Sequence, residues 1–152
     1  MKKRAKIPDS YLPKELSAAD RKRQEKEIKA SRKLYKEGKY KLRSTDLKSY
    51  KSKRSSHVKR AEKIYNQSFK KLLKKVPGCD PSLGKMILKK GKGAFFSSGS
   101  RPNTTPSAWG KARLASAITG GKAARVDHKE IEKFCKANSI PVKLLHKNFP
   151  NL

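Results

Sequence analysis

Lysine and arginine total 41 of 152 residues against 12 carboxylates, a formal net charge of +29 at pH 7, and that imbalance limits what the chain can fold into. Like charges at this density oppose compaction unless a counter-charge is supplied. Only 34% of the residues are hydrophobic, so a modest core has to hold the fold against the repulsion. The excess is uneven: positions 1–75 hold 27 basic and 8 acidic residues, and positions 76–152 hold 14 and 4. A polyanionic or acidic partner is the expectation that follows, with the front half the more strongly attracted. At this length one compact unit with tails is expected rather than two independent cores.

The apolar residues are spaced for helices, which makes the expected fold class mainly α. Residues 1–16, with Pro8 and Pro13, read as an extended basic arm. Ser17 with Asp20 three positions on predicts a capped helix that runs to Gly38, with Ile28, Ser31 and Tyr35 on one narrow face. Residues 39–55 show no period and read as a loop or extended lasso. From Ser56 the apolar spacing firms up: Val58, Ala61 and Tyr65, then Phe69, Leu72, Leu73 and Val76, ending at Pro77-Gly78. Asp80-Pro81 opens a short helix carrying Leu83, Met86 and Ile87, closed at Gly91. The segment GKGAFFSSGSRPNTTP is expected as a structured loop around Phe95 and Phe96. Thr105-Pro106 opens a helix through Trp109, Leu114 and Ile118 that Gly120-Gly121 closes. Asp127 and Glu130 form a capping box before a last helix with Ile131, Phe134 and Cys135 inside, ending near Asn138. These signals divide the chain into a basic arm with one exposed helix (1–55), a core of three to four helices (56–138) and an extended tail (139–152).

No spacing in the chain supports catalysis. The carboxylates sit in first turns or beside lysines, where capping and ion pairing account for them. Gly91-Lys92-Gly93 lacks the remaining positions of a phosphate-binding loop. Cys79 and Cys135 form no CxxC pair, and His57, His128 and His146 do not fall at metal-ligand spacings, so no cofactor or metal is expected and both cysteines read as reduced, partly buried thiols. No apolar run approaches the roughly 18 residues of a membrane span, and the opening lacks the apolar stretch of a secretory signal. A soluble protein made in the cytosol is the expectation, although charge alone would allow peripheral contact with an anionic membrane.

The candidate polyanion-binding residues are the basic clusters Arg21-Lys22-Arg23, Lys53-Arg54, Lys59-Arg60, Lys70-Lys71 and Lys74-Lys75, joined by Arg101. A single doublet is usually a solvated helix face. Five with almost no acid nearby carry the uncompensated charge that a phosphate backbone or an acidic protein surface neutralises. Arg101, in SSGSRPNTT, has two readings. It lies where hydroxyls and backbone N–H groups before Pro106 suit an anion, and the same residues are what a capped turn requires, which is the favoured reading. Trp109 is read as a core anchor rather than a base-stacking platform. Tyr11, Leu12, Tyr35, Tyr40 and Tyr50, interspersed among the lysines, are candidate anchors for a protein partner, together with Leu47.

Three blocks, YLPKELSAADRKRQEKEIKASRKLYKEGKYK, SYKSKRSSHVKRAEKIY and GKGAFFSSGSRPNTTPSAWGKARLASAITGGKA, resemble a family of small, basic, largely uncharacterised proteins of nucleocytoplasmic large DNA viruses such as chlorella viruses and mimivirus relatives. The distinctive part is the SGSRPN…W…ARLASAITGGKA pattern. The resemblance implies a component of the virus particle, located in the virion and made in the host cytosol, and it brings no catalytic or binding residues with it. Two functions fit. The first is a basic minor capsid protein that cements the inner side of an icosahedral shell by binding acidic surfaces of neighbouring capsid proteins. The second is a sequence-nonspecific DNA-binding or genome-condensing protein. The interspersed tyrosines and leucines favour the first.

Overall fold

The computed structural model describes residues 6–152. Among them the chain is helical, as its apolar spacing predicts, and the helices are more numerous than the three or four expected in a core. A 3-10 turn at Asp9–Tyr11 precedes α1 (Ala18–Lys36), α2 (Ser56–Tyr65), α3 (Phe69–Lys74), α4 (Ser82–Ser97), α5 (Pro106–Ile118), α6 (Lys122–Val126), α7 (His128–Phe134) and α8 (Ile140–Asn148). The chain forms two compact units. One comprises the residues up to Lys53 with Lys92–Trp109, the other Arg54–Gly91 with Gly110–Leu152.

In the first unit, α1 begins and ends where its capping residues dictate. The Ser17 hydroxyl accepts the Asp20 N–H at 3.2 Å, and Gly38 follows the helix at φ +79°, a left-handed conformation that glycine adopts without strain. Its inner face is mostly polar: Gln24, Ile28 and Ser31 are buried. Of the basic arm expected over 1–55, residues 1–5 lie outside the described residues, and the stretch before α1 is not simply extended, since it makes the 3-10 turn at Asp9–Tyr11. The segment after α1 has no regular structure, yet Arg43 and Leu47 in it are buried. The Asn103 side chain accepts from the Leu47 N–H (2.9 Å) and donates to the carbonyls of Leu47 (2.9 Å) and Tyr50 (2.8 Å). The Ser52 hydroxyl donates to the Asn103 carbonyl at 2.8 Å. Ordering of this lasso therefore comes from polar latches within the chain, which a reading based on apolar burial alone leaves out.

The second unit holds the main apolar core. Phe69, Leu72, Leu83, Ile87, Leu114, Ile118 and Ile131 are buried there as expected, with Leu73 and Phe134 packed at its margin. Val58, Ala61, Tyr65, Val76, Ala115, Ala117, Ala124, Val142 and Leu145 complete it. Met86 and Trp109, both expected in the core, are only half-buried. Gly91 does not close α4, which continues to Ser97. A Cβ on Gly91 would stand 2.5 Å from the Gly110 Cα, so this glycine permits a close crossing of α4 and α5 rather than a helix end.

Three further expectations change in this unit. The tail from 139 is helical: Ser139 precedes α8 and Pro141 stands in its first turn, where the missing N–H costs nothing, with Val142 and Leu145 buried. Asp127 makes no capping hydrogen bond at α7. It is wholly buried and paired instead with the Arg113 guanidinium at 2.8 and 2.9 Å and with the Lys90 ammonium at 3.4 Å. Cys79 and Cys135 are not reduced thiols but a disulfide, both ends buried. Hydrogen bonds from the Asp80 N–H to the Phe134 carbonyl (2.7 Å) and from the Lys136 N–H to the Gly78 carbonyl (2.8 Å) frame it as a one-pair antiparallel bridge.

Candidate polyanion interface

The carboxylates of this chain are largely spent on its own structure. Asp20 accepts from the backbone and hydroxyl of Ser49. Glu25 pairs with Lys29, and Glu27 accepts from the Ser44 hydroxyl and lies 3.8 Å from Arg23. Asp80 caps the start of α4 by accepting the Ser82 N–H at 2.8 Å. Asp127 and Glu130 hold Lys90 and Arg113, and Glu132 lies 3.4 Å from His146. Hydrogen bonds hold Asp20 and Asp80 below the usual carboxylate range, from Ser49 and Ser82 respectively. The hydrogen bond from Lys90 does the same for Glu130 and raises the Lys90 ammonium in turn. What remains outward is mostly cationic.

The predicted clusters that the structure brings together most clearly lie on the α2–α3 hairpin. Burial of Val58, Ala61 and Tyr65 leaves Lys59, Arg60 and Lys63 exposed on α2. Burial of Phe69 and Leu72 leaves Lys70, Lys71 and Lys74 exposed on α3, with Lys75 just after it. The single carboxylate of the hairpin, Glu62, is bound inward. It accepts the Phe69 N–H at 2.8 Å, which is the main cause of its lowered pKa, and pairs with Arg54 at 2.5 Å. Lys63 belongs to this face and was signalled by the α2 apolar spacing, not by a doublet.

In the first unit the predicted residues scatter. Lys22, Lys53 and Arg101 are exposed. Arg21 donates to the Leu12 carbonyl at 3.1 Å, and Arg23 stands between Glu27 and Asp46, so both are partly engaged. The Thr105 hydroxyl accepts the Ala108 N–H at 3.1 Å, the capping geometry favoured for this turn. Among the anchors, Tyr11 packs edge-on against Trp109 at 5.6 Å, Leu12 and Tyr50 are half-buried, and Leu47 is fully buried. Tyr35 and Tyr40 face outward, at 37% and 71% exposure, beside Leu42 at 68%.

The same unit holds a buried cation, Arg43, that no local sequence pattern signals. The Arg43 guanidinium stacks 3.8 Å above the Phe95 ring and donates to the Phe95 carbonyl (2.7 Å), the Ser31 hydroxyl (3.0 Å) and the Ser100 hydroxyl (2.7 Å). Burial pulls its pKa down to about 10, with Glu27 opposing, so it stays charged at neutral pH. Gln24 donates to the Ser100 carbonyl at 3.1 Å and Arg32 to the Ser98 carbonyl at 2.8 Å. Burial also pushes the Tyr11 phenol up, against the pull of Arg32, Arg43 and Arg101. The distinctive SGSRPN block is thus a loop gripped by cationic and amide side chains.

No group of three or more His, Cys, Asp or Glu residues among the described residues is placed to hold a metal, and no helix there is long and apolar enough to cross a membrane. Fold and surface together define a small, basic, mainly helical protein whose α2–α3 hairpin exposes a cationic face. Residues 8–150 match the family of unknown function DUF5824, and the chain belongs to that family. No curated protein and no solved structure matches it.

Proposed function

We propose that this chain is a non-enzymatic structural component of a large DNA virus particle that binds nucleic acid through its lysine and arginine faces without reading sequence. The observation that carries the nucleic-acid part is the α2–α3 hairpin, whose outer face is uniformly basic while its one carboxylate is bound inward. Lysines meet phosphates as point charges and release condensed counterions, which gives affinity without base discrimination. The viral part rests on the sequence resemblance. The test is duplex DNA binding by anisotropy across a salt series. Affinity should fall steeply between ~50 and ~200 mM salt. Replacing Lys70, Lys71, Lys74 and Lys75 by Gln together should make the log–log slope shallower by up to about 3.6. Binding that survives high salt, that discriminates between sequences, or that ignores the four substitutions would overturn the reading.

A second reading, a capsid-cementing protein bound to acidic neighbours, has its own observation. A shallow depression of about 480 Å³ at the start of α1 is lined by Ala18, Ala19, Arg21, Lys22 and Glu25. Its two cations beside small apolar side chains offer an acidic protein side chain a charged partner and a place to pack. The two readings part on nuclease treatment of particles opened in low salt: a DNA-held protein is released, and a shell-held one stays with the capsid.

A further inference from the structure

We propose that the first unit carries a stacking platform for single-stranded nucleic acid, formed by Tyr35, Tyr40 and Phe96 in a lysine-rich stretch of the chain. The inference rests on the nucleic-acid reading above and deepens it by naming the strand form. The three rings form a connected series. Tyr35 and Tyr40 have centroids 6.0 Å apart, and Tyr40 and Phe96 lie 5.2 Å apart, tilted 59° and 57°. Phe96 in turn meets Phe95 edge-on at 5.2 Å. Phe95 is only 1% exposed and is clamped on one face by Arg43, itself fixed by three hydrogen bonds. The series therefore runs from a rigid buried layer to an open surface. Tyr40, at 71% exposure, keeps a ring face available while its other contacts hold it in place. A tyrosine supported in this way loses little freedom when a planar group settles on it.

The chemistry around the rings selects the occupant. Lys33, Lys36, Lys39, Lys41 and Lys92 are exposed near them in sequence, and among the described residues none of these lysines is ion-paired. Glu37 is the only carboxylate in the stretch from Tyr35 to Tyr40. Exposed rings among exposed lysines of the same segments call for a ligand that is both planar and anionic. Nucleobases joined by phosphates meet both demands, since every base has a π-face and every linkage a charge. In a duplex the base faces are already stacked on one another, so a duplex could use the lysines but not Tyr40.

The test uses the full chain, a 12-residue oligothymidylate and a duplex of the same length, at low salt. Tyr40→Ala should weaken oligothymidylate binding by roughly five- to a hundred-fold, the range of one base–aromatic stack, and change duplex binding less than about two-fold. Tyr40→Phe should keep the native affinity, and the fluorescence of Tyr40→Trp should quench on oligothymidylate and not on duplex. Equal loss on both ligands, or no loss on either while both still bind, would overturn the platform and leave the nucleic-acid reading standing. Absence of binding to both ligands by the unaltered protein would remove that reading and the platform with it. Undiminished oligothymidylate binding, with loss of contact to an acidic capsid protein, would assign the patch to a protein partner and reject the platform.

Discussion

Removing the Cys79–Cys135 crosslink should cost the chain a large part of its stability. The bond joins residues 56 apart in sequence. In the chain-entropy account, closing a loop of that length removes roughly 14 cal/mol/K from the unfolded ensemble, or about 4 kcal/mol at room temperature. Replacing both cysteines by Ala leaves the framing hydrogen bonds at Asp80–Phe134 and Gly78–Lys136 in place, so the loss comes mainly from the freed unfolded chain. With a urea m-value of roughly 2 kcal/mol/M, the midpoint should drop by about 2 M. Far-UV circular dichroism in urea would follow it, for the native protein and for Cys79→Ala/Cys135→Ala, each with and without reductant. Reductant should move the native protein toward the variant and leave the variant unchanged. A native midpoint indifferent to reductant and equal to that of the variant would refute the crosslink and return the cysteines to the reduced thiols that their sequence spacing implied.

Arg43→Lys should lower stability by roughly 3 kcal/mol in chemical denaturation, because an ammonium cannot hold the Phe95 carbonyl and two hydroxyls while covering the Phe95 ring; a change below about 1 kcal/mol would show that the clamp is not structural. Stability against pH should be level between roughly pH 5 and pH 10. Asp20, Glu62, Asp80 and Glu130 all titrate below their ordinary values of 3.8 and 4.5, so their contribution is complete above those values and is lost as pH falls through the lower folded ones. Lys90 titrates above 10.5, so its contribution is complete below that value and is lost as pH rises through the folded one. Melting temperatures from pH 2 to 11 check this, and a steady decline between pH 7 and 5 would refute it.

Most of what was legible in the sequence was local. Ser17, Gly38, Thr105 and Gly120 mark helix ends because capping is decided within one turn. Apolar spacing in α2 and α3 identified their buried faces and, by subtraction, their basic ones. Long-range pairings left no such trace. Asp127 with Glu130 has the spacing of a capping box, but Arg113 and Lys90, 14 and 37 residues away, claim Asp127 instead. Arg43 sits in a stretch with no period, and its partners lie 12, 52 and 57 residues away. The disulfide joins two cysteines whose spacing matches no motif. The α8 helix did have a local signal, Ser139-Ile140-Pro141, but its proline is equally common at the end of a structured region as at the start of a helix. The basic surface could be read as a class of residue, and the aromatic series could not, since Tyr35, Tyr40 and Phe96 come from separate segments.

The allocation of charge bears on why the chain tolerates +29 at all. Buried or joining positions take the carboxylates: Asp127 inside the second unit, Glu62 between α2 and α3, Asp20 between α1 and the lasso. Each of these ties two segments together, and none is available to neutralise the outer lysines. Repulsion among the outward cations is therefore built into the isolated molecule, and nothing in the core or the caps requires Lys59, Arg60, Lys63, Lys70, Lys71 or Lys74 to be basic. Glutamine at those sites would keep the helices and remove the repulsion. Among the described residues these cations weaken the free protein without tying its segments together, and that is the ground on which a phosphate backbone, anionic whatever its sequence, is proposed as their partner.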